Sequence, residues 1–213
     1  MSDPAATLDA LFDAERAARL AHDELVDAAP EVVVPLLERA TRDALKLDDE
    51  DESALRLVRI AALLGELQGP RVVDLLVDIL GCDEPEARHA AGEALEGLAF
   101  DRFKEVALGV ERALERLPET SAALSELPYL LAQVPEPGVT RLLARFLAHR
   151  GADAVASAIE ALVEIGDPAA LPLLEPLASD GRKVQLEDEG GTEGEATLAE
   201  LVAEARTLLT EGA

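Results

Sequence analysis

The side chains that could bind a metal ion or act as a nucleophile are scattered along this 213-residue sequence. His22, His89 and His149 are far apart, and Cys82 is the only cysteine, so no pair has the short spacing of metal ligands. The acidic run 48–52 lacks the alternating ligands and central glycine of a calcium-binding loop. The sequence also lacks Gly-x-Ser-x-Gly and the glycine-rich phosphate-binding motifs. We therefore expect no catalytic, metal or cofactor site, and a protein that is not an enzyme.

One row of basic side chains does offer binding chemistry. Arg141, Arg145 and His149 follow one another at i, i+4 spacing in a segment without acidic residues, so they fall on one face of a helix. Such a row could bind an acidic peptide, a phosphate or a carboxylate of the same chain. Acids of the neighbouring helix, such as Glu105 or Asp74, could instead pair with these arginines as in ordinary surface ion pairs.

Composition limits the class of protein that carries these residues. The chain has 44 acidic and 19 basic residues, a formal net charge of -25, which argues against a nucleic-acid partner. With 49% hydrophobic but only 2% aromatic residues, the sequence favours helices built on Ala, Leu, Glu and Arg. The start of the chain does not resemble a signal peptide, and the apolar runs are too short to span a bilayer. We expect a cytoplasmic protein without a membrane partner.

Internal repetition predicts the elements that position these side chains. Apolar residues recur at steps of 31, 36 and 31 residues in several columns, of which two are Leu64, Leu95, Leu131, Leu162 and Ile79, Val110, Phe146, Leu177. Within one unit the apolar positions are spaced i, i+3, i+4, i+7, as on one face of an amphipathic helix. Gly and Pro separate two such stripes in most units, so each unit is predicted to be a pair of helices joined by a short turn.

These features resemble a known repeat family. The Gly-Asp-Pro turn at 166–168 is followed by a Leu-Leu pair, and residues 88–95 read Arg-His-Ala-Ala-Gly-Glu-Ala-Leu. Over roughly residues 20–180 the chain is similar to HEAT repeats of the short prokaryotic, lyase HEAT-like type. The resemblance implies an all-α fold, a right-handed α-α superhelical solenoid of antiparallel helix pairs. The family includes scaffolds, phycobilin lyase subunits and a branch of DNA glycosylases.

The predicted organisation is a single repeat domain over residues 1–213. It comprises helix pairs at approximately 5–47, 53–81, 84–117, 119–150 and 151–180, an acidic loop at 181–194 and a capping helix at 195–211. In a HEAT-like stack the second helix of each pair lines the concave side. The predicted second helices carry eleven basic and eleven acidic residues, so the negative charge belongs to the first helices, the loops and the tail.

The sequence therefore predicts a non-catalytic scaffold that presents a curved helical surface to a protein partner of unknown identity. The expected contacts are Arg71, Arg102, Arg141 and Arg145, with Tyr129 as an aromatic anchor. An enzyme or lyase-type subunit on the same fold is the alternative, although the absence of Trp and the neutral inner helices weigh against a glycosylase-like activity. Because only three of the 19 basic residues are Lys, the acidity could also be an adaptation to salt.

Overall fold

The computed structural model describes residues 3–187 and 193–211, and these residues form a stack of paired helices. In this part of the chain the helices are α1 Pro4–Val26, α2 Pro30–Ala44, α3 Glu50–Glu66, α4 Pro70–Leu80, α5 Pro85–Arg116, α6 Ala122–Ala132, α7 Val139–Leu147, α8 Ala152–Ile165, α9 Leu171–Leu174 and α10 Leu198–Glu211. Two strands, β1 Lys183–Glu187 and β2 Glu193–Thr197, precede α10. The predicted all-α solenoid is confirmed. No described helix combines the length and apolar character needed to cross a membrane.

The helices form two rows. The first row consists of α1, α3, the first half of α5, α6 and α8, and consecutive members pack on one another. The second row consists of α2, α4, the second half of α5, α7 and the short helical segment around α9, again with neighbours in contact. Each helix pair therefore contributes one helix to each row, as a solenoid requires.

The core follows the apolar columns of the sequence. Leu64, Leu95, Leu131 and Leu162 occupy equivalent positions in four units, and each is 2% exposed or less. Phe146, from a second column, is fully buried. Because every pair buries the same positions against the next pair, one continuous core runs through the stack.

The third pair differs from its neighbours at its turn. The sequence predicts two helices separated near Phe100 and Asp101, whereas α5 runs from Pro85 to Arg116 with one non-helical residue, Arg102, at φ −141° and ψ 48°. No proline or glycine stands at this turn to end the first helix and start the next. The chain consequently changes direction at a single residue.

The last helix pair ends irregularly. Its second helix, predicted over 168–180, consists of 3₁₀ turns at Pro168–Ala170 and Glu175–Leu177 on either side of the four-residue α9. Pro172 and Pro176 each remove a backbone donor, which prevents a longer α-helix.

The loop predicted over 181–194 is corrected by the structure, because its ends form an antiparallel hairpin in which Lys183 pairs with Thr197. Val184 is buried against the end of the core, which anchors β1 to α8. The capping helix consequently begins at Leu198 rather than at 195. Thr197 and Glu200 start it with a capping box, in which each side chain accepts a hydrogen bond from the other's backbone N–H. The glycine-containing middle of the predicted loop, 188–192, lies outside the described residues.

Candidate functional site

The second-row helices are joined by a regular set of ion pairs, here called the arginine ladder. In each rung an acid on one second-row helix binds an arginine on the next. The rungs are Glu38–Arg71 at 2.6 Å, Asp74–Arg112 at 2.9 Å, Asp78–Arg116 at 2.6 Å and Glu111–Arg145 at 3.9 Å. Four of the eleven acids and four of the eleven bases in the predicted second helices are thus paired between repeats.

The central rung is the most buried. Asp74 is only 8% exposed and accepts a hydrogen bond from Arg112 Nε at 2.9 Å. The Nη2 group of Arg112 also donates to the Pro70 carbonyl at 2.9 Å. A buried carboxylate that loses its partner keeps the desolvation cost, so removing Arg112 costs more stability than breaking an exposed pair does. Exposed rungs contribute little.

Three of the four arginines predicted to contact a partner already have partners within the chain. Arg71 belongs to the ladder and also lies 3.7 Å from Asp74. Arg102 donates to the Leu67 carbonyl at 2.9 Å and lies 3.4 Å from Glu105. Arg145 makes the longest rung, at 3.9 Å.

Arg141 differs from the other three, because it makes no ion pair within 4.0 Å to any described residue. His149 does not continue its row, since α7 ends at Leu147 and His149 Nδ1 accepts a hydrogen bond from the Gly151 N–H at 3.1 Å. The basic row predicted from the sequence is therefore reduced to Arg141 and Arg145.

Tyr129 lies apart from the arginines. It belongs to α6, a first-row helix, and its hydroxyl donates to Glu160 Oε2 of α8 at 2.5 Å. Burial of the ring and the hydrogen bond to Glu160 raise the pKa of Tyr129 to about 12. The side chain is 38% exposed, so part of it stays accessible, but on a different row from the ladder.

A surface cavity of about 560 Å³ opens on the second row beside the turn at Arg102. Its lining combines three apolar residues with five charged ones: Pro70, Asp101, Arg102, Phe103, Lys104, Glu105, Leu108 and Arg112. Leu108 is 49% exposed at this cavity, and Phe103 is half-buried. An exposed leucine beside a half-buried aromatic ring is the kind of surface that accepts an apolar side chain of a partner.

The cavity lies close to α7 because Phe103 packs on the turn before that helix. A Cβ atom on Gly138, the residue before α7, would lie only 2.6 Å from Cε1 of the Phe103 ring. Glycine is thus required there for close approach. The unpaired Arg141 is in the first turn of α7, three residues after Gly138, although it does not itself line the cavity.

The sequence pattern does not single out Leu108, and it predicts Phe103 to be a core residue because Phe103 falls in an apolar column of the repeats. Phe103 occupies an apolar column in which Val72 and Val139 are fully packed. The signal that could have drawn attention to this region is the missing turn proline of the third unit, because the cavity lies beside that irregular turn.

The remaining titratable candidates are dispersed. His22 contacts Glu66 at 2.7 Å in the first-row helices, away from the other two histidines in sequence and element. Burial raises the pKa of the Cys82 thiol, which favours the unreactive protonated form. Across residues 3–187 and 193–211, no three His, Cys, Asp or Glu side chains converge as metal ligands.

One family model matches part of the chain. A family model described as PBS lyase HEAT-like repeat matches residues 154–180, which span most of α8 and the segment around α9. The sequence matches no curated protein.

Three solved structures are similar to the chain at 18% identity each. Human deoxyhypusine hydroxylase in complex with glycerol has a TM-score of 0.34, with 95% of this chain and 98% of that chain covered. A crystal structure of an engineered protein has a TM-score of 0.33, with 92% and 90% covered. A second engineered protein has a TM-score of 0.33, with 92% and 91% covered. These similarities are too distant to indicate an activity.

Proposed function

We propose that this HEAT-like repeat protein is a non-catalytic scaffold that binds another protein through its second-row helices. The observation that carries the proposal is the cavity of about 560 Å³ at Phe103 and Leu108, with the unpaired Arg141 on the adjoining helix. Protein interfaces combine an apolar anchor in a pocket with a few charged groups that set orientation. This part of the second row offers both.

The expected partner presents an apolar side chain to the cavity and a carboxylate to Arg141. The ladder leaves Arg71, Arg102 and Arg145 with intramolecular acids, and breaking an existing pair reduces the gain from a new one. We therefore expect Arg141 to contribute more to partner binding than the other three arginines. The aliphatic anchor Leu108 is expected to contribute most, because burying it removes apolar surface from water.

Leu108→Asp and Arg141→Glu test this proposal by affinity capture from a lysate of the organism that carries the gene. Leu208→Asp is the matched control, since Leu208 is 48% exposed on α10, similar to Leu108 at 49%, but lies outside the second row. Circular dichroism establishes that all variants remain folded. Arg145→Glu measures the contribution of a cation that already has a partner.

The proposal predicts a protein that the wild type and Leu208→Asp capture equally and that Leu108→Asp does not retain. We expect weaker capture by Arg141→Glu and a smaller loss with Arg145→Glu. Equal capture of every partner by Leu108→Asp, Arg141→Glu and the wild type would show that the second row is not the binding surface.

A further inference from the structure

The first helix of the chain is poorly covered. All 23 residues of α1 are described, and none of them is buried. In its N-terminal half, Leu8, Leu11 and Phe12 are each more than half exposed. The C-terminal half, by contrast, is held on α3 by a His22–Glu66 contact at 2.7 Å and a Glu15–Arg59 ion pair at 3.6 Å.

These two contacts set the register of α1 and α3. His22 and Glu66 are 44 residues apart, as are Glu15 and Arg59, so the two helices run parallel. The same register places Leu11 at the level of Leu55.

Helical periodicity turns Leu11 and Leu55 toward each other's helix. Leu11 is four residues before Glu15, and Leu55 is four residues before Arg59, so each leucine shares a face with a side chain that contacts the other helix. Nevertheless Leu11 is 62% exposed and Leu55 is 55% exposed. Neither leucine is therefore covered at the N-terminal ends of α1 and α3, and Leu55 also borders a cavity with Ala40 and Asp43 of α2. The surface around Leu11 and Leu55 is here called the wedge.

A cavity between α1 and α3 lies one helical turn beyond the wedge. It has a volume of about 520 Å³ and is lined by Glu15, Ala18, Arg19, Ala21, His22, Asp23, Leu25, Arg59, Ala62 and Leu63. Its lining combines apolar residues such as Leu25 and Leu63 with charged ones such as Glu15 and Arg59.

The charge around the open end is mostly negative. Residues 3–15 contain four acids and residues 48–55 contain five. The arginines that follow these segments, Arg16 and Arg56, pair with Asp13 and Glu52. Some of these acids have local roles, such as Asp49, which accepts a hydrogen bond from the Glu52 N–H at the start of α3. Asp9, Asp48, Glu50 and Asp51 make no ion pair within the described part of the chain.

We propose that this wedge binds a basic amphipathic helix of another protein. Apolar side chains of that helix insert between Leu11 and Leu55, and its Lys and Arg side chains face the acids of the two N-terminal segments. A second copy of this chain fits less well, because a symmetric pairing would bring these acids against their own copies. The wedge is on the first row, so this interaction is separate from the proposed function of the second row.

The test uses a fluorescently labelled helical peptide of Leu and Lys, with Leu at i, i+3, i+4 and i+7 so that one face is apolar. A second peptide of the same composition distributes the leucines around the helix. Fluorescence anisotropy gives the affinity of both peptides for the wild type, for Leu11→Ser combined with Leu55→Ser, and for Leu208→Ser. Leu208 is the matched control because it is an exposed leucine at the opposite end of the chain.

The wedge predicts tighter binding of the amphipathic peptide than of the redistributed one. The double variant is expected to bind the amphipathic peptide about tenfold or more weakly, from the loss of buried leucine surface, while Leu208→Ser binds like the wild type. Equal affinity of the double variant and the wild type would overturn the proposal, because attraction to an acidic protein would then explain all binding. Self-association of the wild type that Leu11→Ser abolishes, measured by sedimentation, would assign the wedge to a second copy instead.

Discussion

Gly109 provides a quantitative test of how closely the repeats pack. It lies in the second half of α5 against α4, where a Cβ atom would come within 2.2 Å of Val73 Cγ1 and 2.8 Å of Val73 Cβ. Val73 is fully buried, so its side chain has little room to move. Gly97 lies in the same helix, and a Cβ atom added there meets nothing within 4 Å. Alanine at the two positions therefore changes the same backbone preference in two different environments.

The two substitutions should differ in sign or in size. Replacing a helical glycine by alanine stabilises a helix by about 1 kcal/mol, and this gain applies at both positions. At Gly109 the added methyl group overpacks the α4–α5 contact, which costs about 1–3 kcal/mol. We expect Gly97→Ala to raise the free energy of unfolding by about 1 kcal/mol, and Gly109→Ala to lie about 1–3 kcal/mol below it. For a chain of this size that gap corresponds to a difference in Tm of about 2–12 °C.

Thermal melts followed by circular dichroism at 222 nm measure this difference, and chemical unfolding in guanidinium provides a second reading. A Tm for Gly109→Ala equal to that of Gly97→Ala would refute the close approach of α4 and α5 at Gly109. A Tm for Gly109→Ala above that of Gly97→Ala would also refute it.

Two further predictions concern single polar contacts. Arg112→Met leaves the buried Asp74 without its main partner and should lower the free energy of unfolding by about 3 kcal/mol. Arg145→Met breaks an exposed rung and should cost less than about 1 kcal/mol. Chemical unfolding measures both variants, and equal losses would contradict the difference in burial. Tyr129 is the only tyrosine of a chain without Trp, so absorbance at 295 nm should report its deprotonation near pH 12, and Glu160→Gln should lower the midpoint toward the ordinary value of about 10. A midpoint near pH 10 in the folded wild type would show that the ring is not buried against Glu160.

The repeat architecture could be predicted because every helix pair buries the same positions. Leu64 and Leu162 are 98 residues apart, yet both are in one apolar column and both are at most 1% exposed. Such a column marks the positions that every helix pair buries against the next pair. Each further unit with an apolar residue in the column therefore strengthens the prediction of a stacked repeat. The resemblance to HEAT-like repeats, confirmed over 154–180, depends on the same regularity.

Individual side-chain partners and local irregularities could not be predicted in this way, although the sequence already allowed ion pairs between arginines and acids of the neighbouring helix. The partners of the arginines come from the preceding repeat, 33 residues earlier for Arg71 and 38 for Arg112, and that register is set by helix packing rather than by local pattern. The hairpin was missed because acids and glycines obscure the alternation around Val184. The backbone of Arg102 lets one helix continue through the turn of the third pair, where the repeat pattern predicts two separate helices.

Site-specific cross-linking tests the second row as the binding surface most directly. A photoreactive benzoylphenylalanine placed at Leu108, beside the cavity, should form a discrete adduct with one partner when cells or lysate are irradiated. Benzoylphenylalanine placed instead at Leu208 of α10, which is as exposed as Leu108, should not form that adduct. An adduct from Leu108 that Arg141→Glu weakens is the predicted result. Identical adducts from both positions, or none from Leu108, would contradict a partner-binding role for this surface.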